Sequence, residues 1–232
     1  MSTVFINTII TIWFFMIPID INDLSMFKTT MYRTPKQRVG RMHLTLPYTY
    51  AEIHEELENE DWIGVAKIHD LGIDVWDKTR LKCVYPSGIR LMHITKYIRS
   101  AQFKRQFINF LYDISPNLHL NWDLTADDMF NHTMLNCEIS RDSPNFQTSL
   151  HLDFKRAVGT GLIYWSEYDD PNLRTEFYDD LNRSNPLAMT TNFGDGWLHA
   201  NDYNTWHQGW NRTQLPRYST LIALVTNIVP IK

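Results

Sequence analysis

The sequence predicts a mainly β, α+β fold: a sandwich, jelly roll or barrel built from the second half of the chain, with helices packed outside it. Three observations carry this expectation. From Met134 onward, short runs of branched and aromatic residues recur at regular spacing, and turn-forming residues separate them. Between Ile94 and Asp113, apolar residues repeat at helical spacing. Eight Trp, eleven Tyr and twelve Phe among 232 residues make an aromatic load suited to a β-rich core.

The elements follow in chain order. Val4–Ile19 is mostly apolar, but it is short for a membrane span and is interrupted by Asn7 and Pro18. It lacks the basic start and small-residue cleavage site of a signal peptide. Residues 1–25 therefore read as a strand or short helix covering one end of the fold, as an extension ahead of it, or as an anchor. No membrane partner is expected, and the expected location is cytoplasmic. Residues 26–47 are polar and irregular, with Pro35, Gly40 and Pro47 as breakers. Thr49 and Glu52 make a capping box that opens a helix running to about Glu58. Alternating apolar residues suggest short strands between Asp61 and Tyr85. Ile94, Tyr97, Ile98, Ala101, Ile108, Leu111 and Tyr112 form the stripe of one helix, Ile94–Asp113, which Ser115-Pro116 stops. Strands are then expected at Leu135–Ile139, Gln147–Leu152, Gly159–Ser166, Ala188–Phe193, Trp197–Ala200, Tyr203–Gln208 and Ser219–Ile228. The length suits a single domain over 26–232, with helical support at about 45–120 and the β core at about 130–232.

Composition excludes some function classes. The net charge is −4, so no basic surface argues for nucleic acid. Lys104 and Arg105 read as a solvated helix face. Cys83 and Cys137 are the only cysteines and show no Cys-x-x-Cys spacing, which disfavours a thiolate zinc site or a disulfide framework. Both are expected reduced and partly buried.

The informative residues are polar and lie near the C-terminus: His151 and Asp153 in Ser-Leu-His-Leu-Asp-Phe, His207 in Thr-Trp-His-Gln-Gly, and Arg217 with Ser219 in Pro-Arg-Tyr-Ser-Thr. With nine His and 18 Asp in the chain, chance alone yields roughly 0.7 of a His-x-Asp triplet. The weight lies in the ordered set: His-x-Asp, a His 54 residues past Asp153, and Arg-x-Ser beginning ten residues later. Two imidazoles and a carboxylate suit ferrous iron on one face, with the remaining positions open. Residues i and i+2 of a strand share a face, so His151 with Asp153, and Arg217 with Ser219, are each expected to point together. Arg217 offers a fixed fork of donors to a buried carboxylate. His199 is the rival for the distal histidine.

With these residues in place, the stretch from Arg141 to Val225 resembles the Fe(II)/2-oxoglutarate-dependent oxygenases. The resemblance implies a double-stranded β-helix (jelly-roll) core buttressed by N-terminal helices. It implies Fe(II) held by His151, Asp153 and His207, 2-oxoglutarate held by Arg217 and Ser219, and O2 as co-reactant. The implied reaction is hydroxylation of a substrate C–H bond with release of succinate and CO2, on a small-molecule or peptidyl substrate. A non-catalytic jelly-roll module binding metal or sugar is the alternative, as is a cupin-like metalloenzyme without keto acid; neither requires Arg217 and Ser219.

Overall fold

A computed structural model of the chain describes residues 20–68, 74–83, 85–118, 122, 124–153, 157–201 and 205–226. The apolar run Val4–Ile19 lies outside them. Among the described residues, one antiparallel sheet runs in the order β1 (Lys28–Arg33), β2 (Val39–Thr45), β10 (Asp195–Ala200), β7 (Ala157–Tyr164), β12 (Arg217–Thr226), β5 (Thr133–Asp142), β4 (Asp74–Cys83) and β3 (Ile63–Ile68). A smaller antiparallel sheet runs β6 (Phe146–Gln147), β11 (Trp206–Asn211), β8 (Leu173–Tyr178) and β9 (Leu187–Ala188). The helices are α1 (Tyr50–Asn59), α2 (Ile89–Ile98), α3 (Ala101–Ile114) and α4 (Ala126–His132). The result is a jelly roll with helices on one face of its larger sheet.

Strand alternation sorts the side chains. Leu162, Tyr164 and Trp197 join Val39, Phe177 and Met189 in a cluster between the two sheets. Ile163, Leu198, Ile222 and Leu224, from the same strands, face the other way and pack with Phe103, Phe107, Ile108 and Leu111 of α3. The period of two thus places Arg217 and Ser219 on the inner face with Leu221, and His199 there with Trp197. Gly159 and Gly161 stand on the helix side. A Cβ on Gly159 would come within 2.5 Å of Leu111 Cδ1, so the missing side chain lets α3 approach the sheet.

Several expectations change. The capping box at Thr49 and Glu52 opens α1 as expected. The single helix Ile94–Asp113 is instead two: α2 starts earlier, the chain breaks at Arg99, and the Ser100 hydroxyl accepts from the Phe103 N–H to start α3. Residues 26–47 hold the paired strands β1 and β2. Their exposed outer residues hide the alternation, and a neighbouring strand completes what composition disfavours. Of Ala188–Phe193 only Ala188 is strand, as the second residue of β9 (Leu187–Ala188), and β8 was not expected. Residues 20–25 join the fold: Leu24 packs on the core, and the Asp23 carbonyl lies 2.7 Å from His93 Nε2. Cys83 and Cys137 are free and fully buried. Among the described residues, no helix is long and apolar enough to cross a membrane.

Candidate metal centre

The site forms where the edge of the smaller sheet meets the inner face of the larger one. His207 lies on β11, and His151 pairs with it in an isolated antiparallel bridge, each N–H donating to the other's carbonyl at 3.0 Å. This bridge brings the two ring centroids to 4.3 Å. Each Nδ1 faces a backbone carbonyl two residues back: Ser149 at 2.8 Å for His151 and Thr205 at 2.9 Å for His207. Donation of the Nδ1 proton to those carbonyls leaves both Nε2 lone pairs free, the tautomer a metal ligand needs. Burial pushes the His207 imidazole down to about 3, so it is neutral, with the neighbouring His199 adding to the effect against the pull of Asp153.

Asp153 supplies the carboxylate. Its Oδ1 lies 3.8 Å from His151 Nε2 and 3.9 Å from His207 Nε2. One ligand atom from each of the three residues falls within 4.8 Å of the others, a set able to hold a metal ion. Ligand atoms around one ion at about 2.0–2.2 Å stand roughly 3–4 Å apart, so little movement is needed. The expectation that His151 and Asp153 share one strand is corrected. Past the single bridge the chain leaves the sheet, and Asp153 reaches across to the cross-strand neighbours His199 and Thr160. His199 Nε2 lies 2.9 Å from Asp153 Oδ2, although the approach is out of line for a hydrogen bond. Burial alone would raise the Asp153 pKa; the His199 and His207 imidazoles and the Thr160 hydroxyl bring it well below the ordinary value. His199, the sequence rival for the distal position, stands behind the carboxylate, outside the three-residue group.

Arg217 and Ser219 lie on β12, fully buried, with side chains between the sheets. Gly209 follows His207 by two residues on the same face of β11, about 7 Å along the strand. A Cβ built on Gly209 would sit 3.7 Å from Arg217 Nη1 and 3.4 Å from Thr175 Oγ1, ordinary contact distances, so the missing side chain leaves a methyl-sized gap beside the guanidinium. Tyr164 borders it, its hydroxyl donating to Thr175 Oγ1 at 2.7 Å and accepting from Trp197 Nε1 at 3.1 Å. Arg217 does not pair with the surface acids Asp169, Asp170, Asp179 or Asp180. Its Nε donates to Asp142 Oδ2 at 2.8 Å and its Nη2 to the same oxygen. Sequence reasoning missed Asp142 and Arg80, because no local spacing reports a cross-strand partner.

Among the described residues, buried Ser219 Oγ has no hydrogen-bond partner, and Asp153 Oδ2 and His199 Nε2 also lack one although they face each other at 2.9 Å. Orphaned groups of this kind are rare in a folded interior and mark a place for a ligand. The donor set suits a divalent metal at one end and a carboxylate at the other.

No protein-family model matches the sequence, and no curated protein matches it. Solved structures do resemble it. A Shewanella oneidensis protein provisionally named an oxygenase superposes with a TM-score of 0.54 at 13% identity, covering 83% of this chain and 84% of that one. EvdO2 from Micromonospora carbonacea var. aurantiaca, solved with 2-oxoglutarate, gives 0.51 at 12% identity, covering 84% and 89%. A prolyl-4-hydroxylase from Pseudomonas putida gives 0.50 at 11% identity, covering 89% and 97%. The protein therefore has the double-stranded β-helix fold of the 2-oxoglutarate/Fe(II) oxygenases.

Proposed function

We propose that this chain is an Fe(II)- and 2-oxoglutarate-dependent oxygenase that hydroxylates a substrate C–H bond and releases succinate and CO2. The observation that carries the reading is the pairing of the His151, Asp153 and His207 ligand atoms with a buried arginine one strand repeat away. A binding module needs only the first. When bound, Fe(II) supplies the redox chemistry by which O2 and the keto acid oxidise the C–H bond. His151 and His207 hold the metal through Nε2, and Asp153 through Oδ1. Three protein ligands leave the remaining positions to small molecules. Arg217 neutralises the far carboxylate of the cosubstrate, whose burial would otherwise be costly, and Ser219 Oγ gives it one hydrogen bond. Phe177 and Trp197, with rings 5.2 and 5.7 Å from that of His207, keep this end of the site dry.

The substrate class is small-molecule or peptidyl. Two of the similar structures are prolyl hydroxylases, and one of these, from Trichoplax adhaerens, was solved with a peptide fragment. The test is succinate formation by the purified protein with Fe(II), O2 and 2-oxoglutarate, in the presence of candidate substrate pools. Manganese binding without any consumption of 2-oxoglutarate would favour a non-catalytic module instead.

A further inference from the structure

Three adjacent strands carry one row of charge across the larger sheet. Arg80 on β4 is in register with Asp142 on β5, and Asp142 with Arg217 on β12. Asp142 is fully buried and accepts from both neighbours: Arg80 Nε at 2.6 Å and Nη2 at 2.9 Å, and Arg217 Nε at 2.8 Å and Nη2. Phe146 flanks the row, its ring centre 4.3 Å from the Arg80 guanidinium carbon and 5.6 Å from that of Arg217.

The division of donors is informative. Asp142 takes the side edge of the Arg217 guanidinium, Nε with Nη2. Among the described residues, Nη1 makes one long contact of 3.4 Å, with the Trp210 carbonyl, and lies beside Gly209. Ser219 Oγ, buried and without a hydrogen-bond partner among the described residues, lies two residues along the same face of β12. Without Asp142 the two cations would repel, and Arg217 would be free to swing away.

We infer that Asp142 is a positioning residue: it grips the side edge of Arg217 so that the Nη1 end is fixed toward an incoming carboxylate, while Arg80 holds Asp142 from the other side. The inference rests on the cosubstrate reading above and goes beyond it by assigning the residues that aim the arginine. It predicts a sign opposite to simple electrostatics. Removing the negative charge of Asp142 should, by Coulomb attraction alone, tighten binding of a dianion. Loss of positioning weakens it.

The experiment is calorimetry on Mn(II)-loaded wild type, Asp142→Asn and Arg80→Gln. It uses 2-oxoglutarate and, as a probe lacking the far carboxylate, 2-oxobutyrate. Asp142→Asn is expected to weaken 2-oxoglutarate by about tenfold or more, roughly one charge-assisted hydrogen bond. The affinities for Mn(II) and for 2-oxobutyrate are expected to stay within about twofold. General structural damage would weaken both keto acids alike, and that result overturns the inference. So does unchanged or tighter binding of 2-oxoglutarate. If Asp142→Asn does not fold, Arg80→Gln decides: selective weakening of 2-oxoglutarate supports the row, and unchanged binding overturns it. Failure of the wild type to bind 2-oxoglutarate at all would instead overturn the cosubstrate reading, and with it this one.

Discussion

At the residue scale, two histidines close to one carboxylate have different surroundings. His207 presents Nε2 to Asp153 Oδ1, whereas His199 contacts only the far oxygen, Oδ2. His207→Ala is expected to abolish Mn(II) binding, and His199→Ala to weaken it by about 10–100-fold, as for a group that orients a ligand. Metal titration followed by electron paramagnetic resonance checks this; full binding in His207→Ala with none in His199→Ala would transfer the ligand role. Ser219 makes a second, cleaner case. Its buried hydroxyl has no hydrogen-bond partner among the described residues, so Ser219→Ala should leave thermal stability unchanged or slightly raised. The affinity for 2-oxoglutarate should still fall by about 1 kcal/mol, the net worth of one hydrogen bond. A stability loss without an affinity loss would show that the hydroxyl serves the fold.

At the element scale, the site depends on how tightly α3 seats on β7 and β10. Gly159 faces Leu111 of α3 on one side and the His199 carbonyl on the other. A methyl group there would meet Leu111 Cδ1 at 2.5 Å and the His199 carbonyl oxygen at 3.0 Å. Gly159→Ala is therefore expected to destabilise by about 1–3 kcal/mol through overpacking. Denaturant unfolding measures this, and the double variant with Leu111→Ala should be less destabilised than the two single effects combined. Strict additivity would mean that the two residues do not compete for the same space. Each of α2 and α3 buries its own apolar face, and Ser100 caps the second where the chain breaks.

At the scale of the whole molecule, buried charge links the site to acid stability. Burial alone would raise the Asp142 pKa, but Arg217 and Arg80 hold it below the ordinary 3.8. The unfolded chain therefore takes up this proton before the folded one does, and the contribution of the carboxylate to stability is complete above 3.8. It is lost as pH falls from there through the depressed folded value. Thermal unfolding of wild type and Asp142→Asn should thus differ by a constant amount above about pH 5 and converge below the ordinary aspartate value. A difference that grows on acidification would reverse the assigned direction.

Much of this protein follows from neighbours in sequence. The capping box at Thr49 and Glu52 acts over three residues, and most strands of the second half show as short runs of branched and aromatic residues between turn-forming ones. His151, Asp153, His207, Arg217 and Ser219 stand out by order and spacing, because a metal set and a carboxylate clamp require those residue types. What depends on pairing between distant segments was hidden. β1 carries mostly exposed polar residues and β2 mixes Arg41, His43 and Thr45 with its apolar ones, so neither announces itself; β2 pairs with β10, and β1 with β2. Asp153 sits on no strand and lies against His199, which comes from across the fold. Asp142 meets Arg80 across 62 residues and Arg217 across 75. Such a contact is set by strand register, which is decided only when whole sheets assemble, because a shift of one residue would turn each of these side chains to the opposite face.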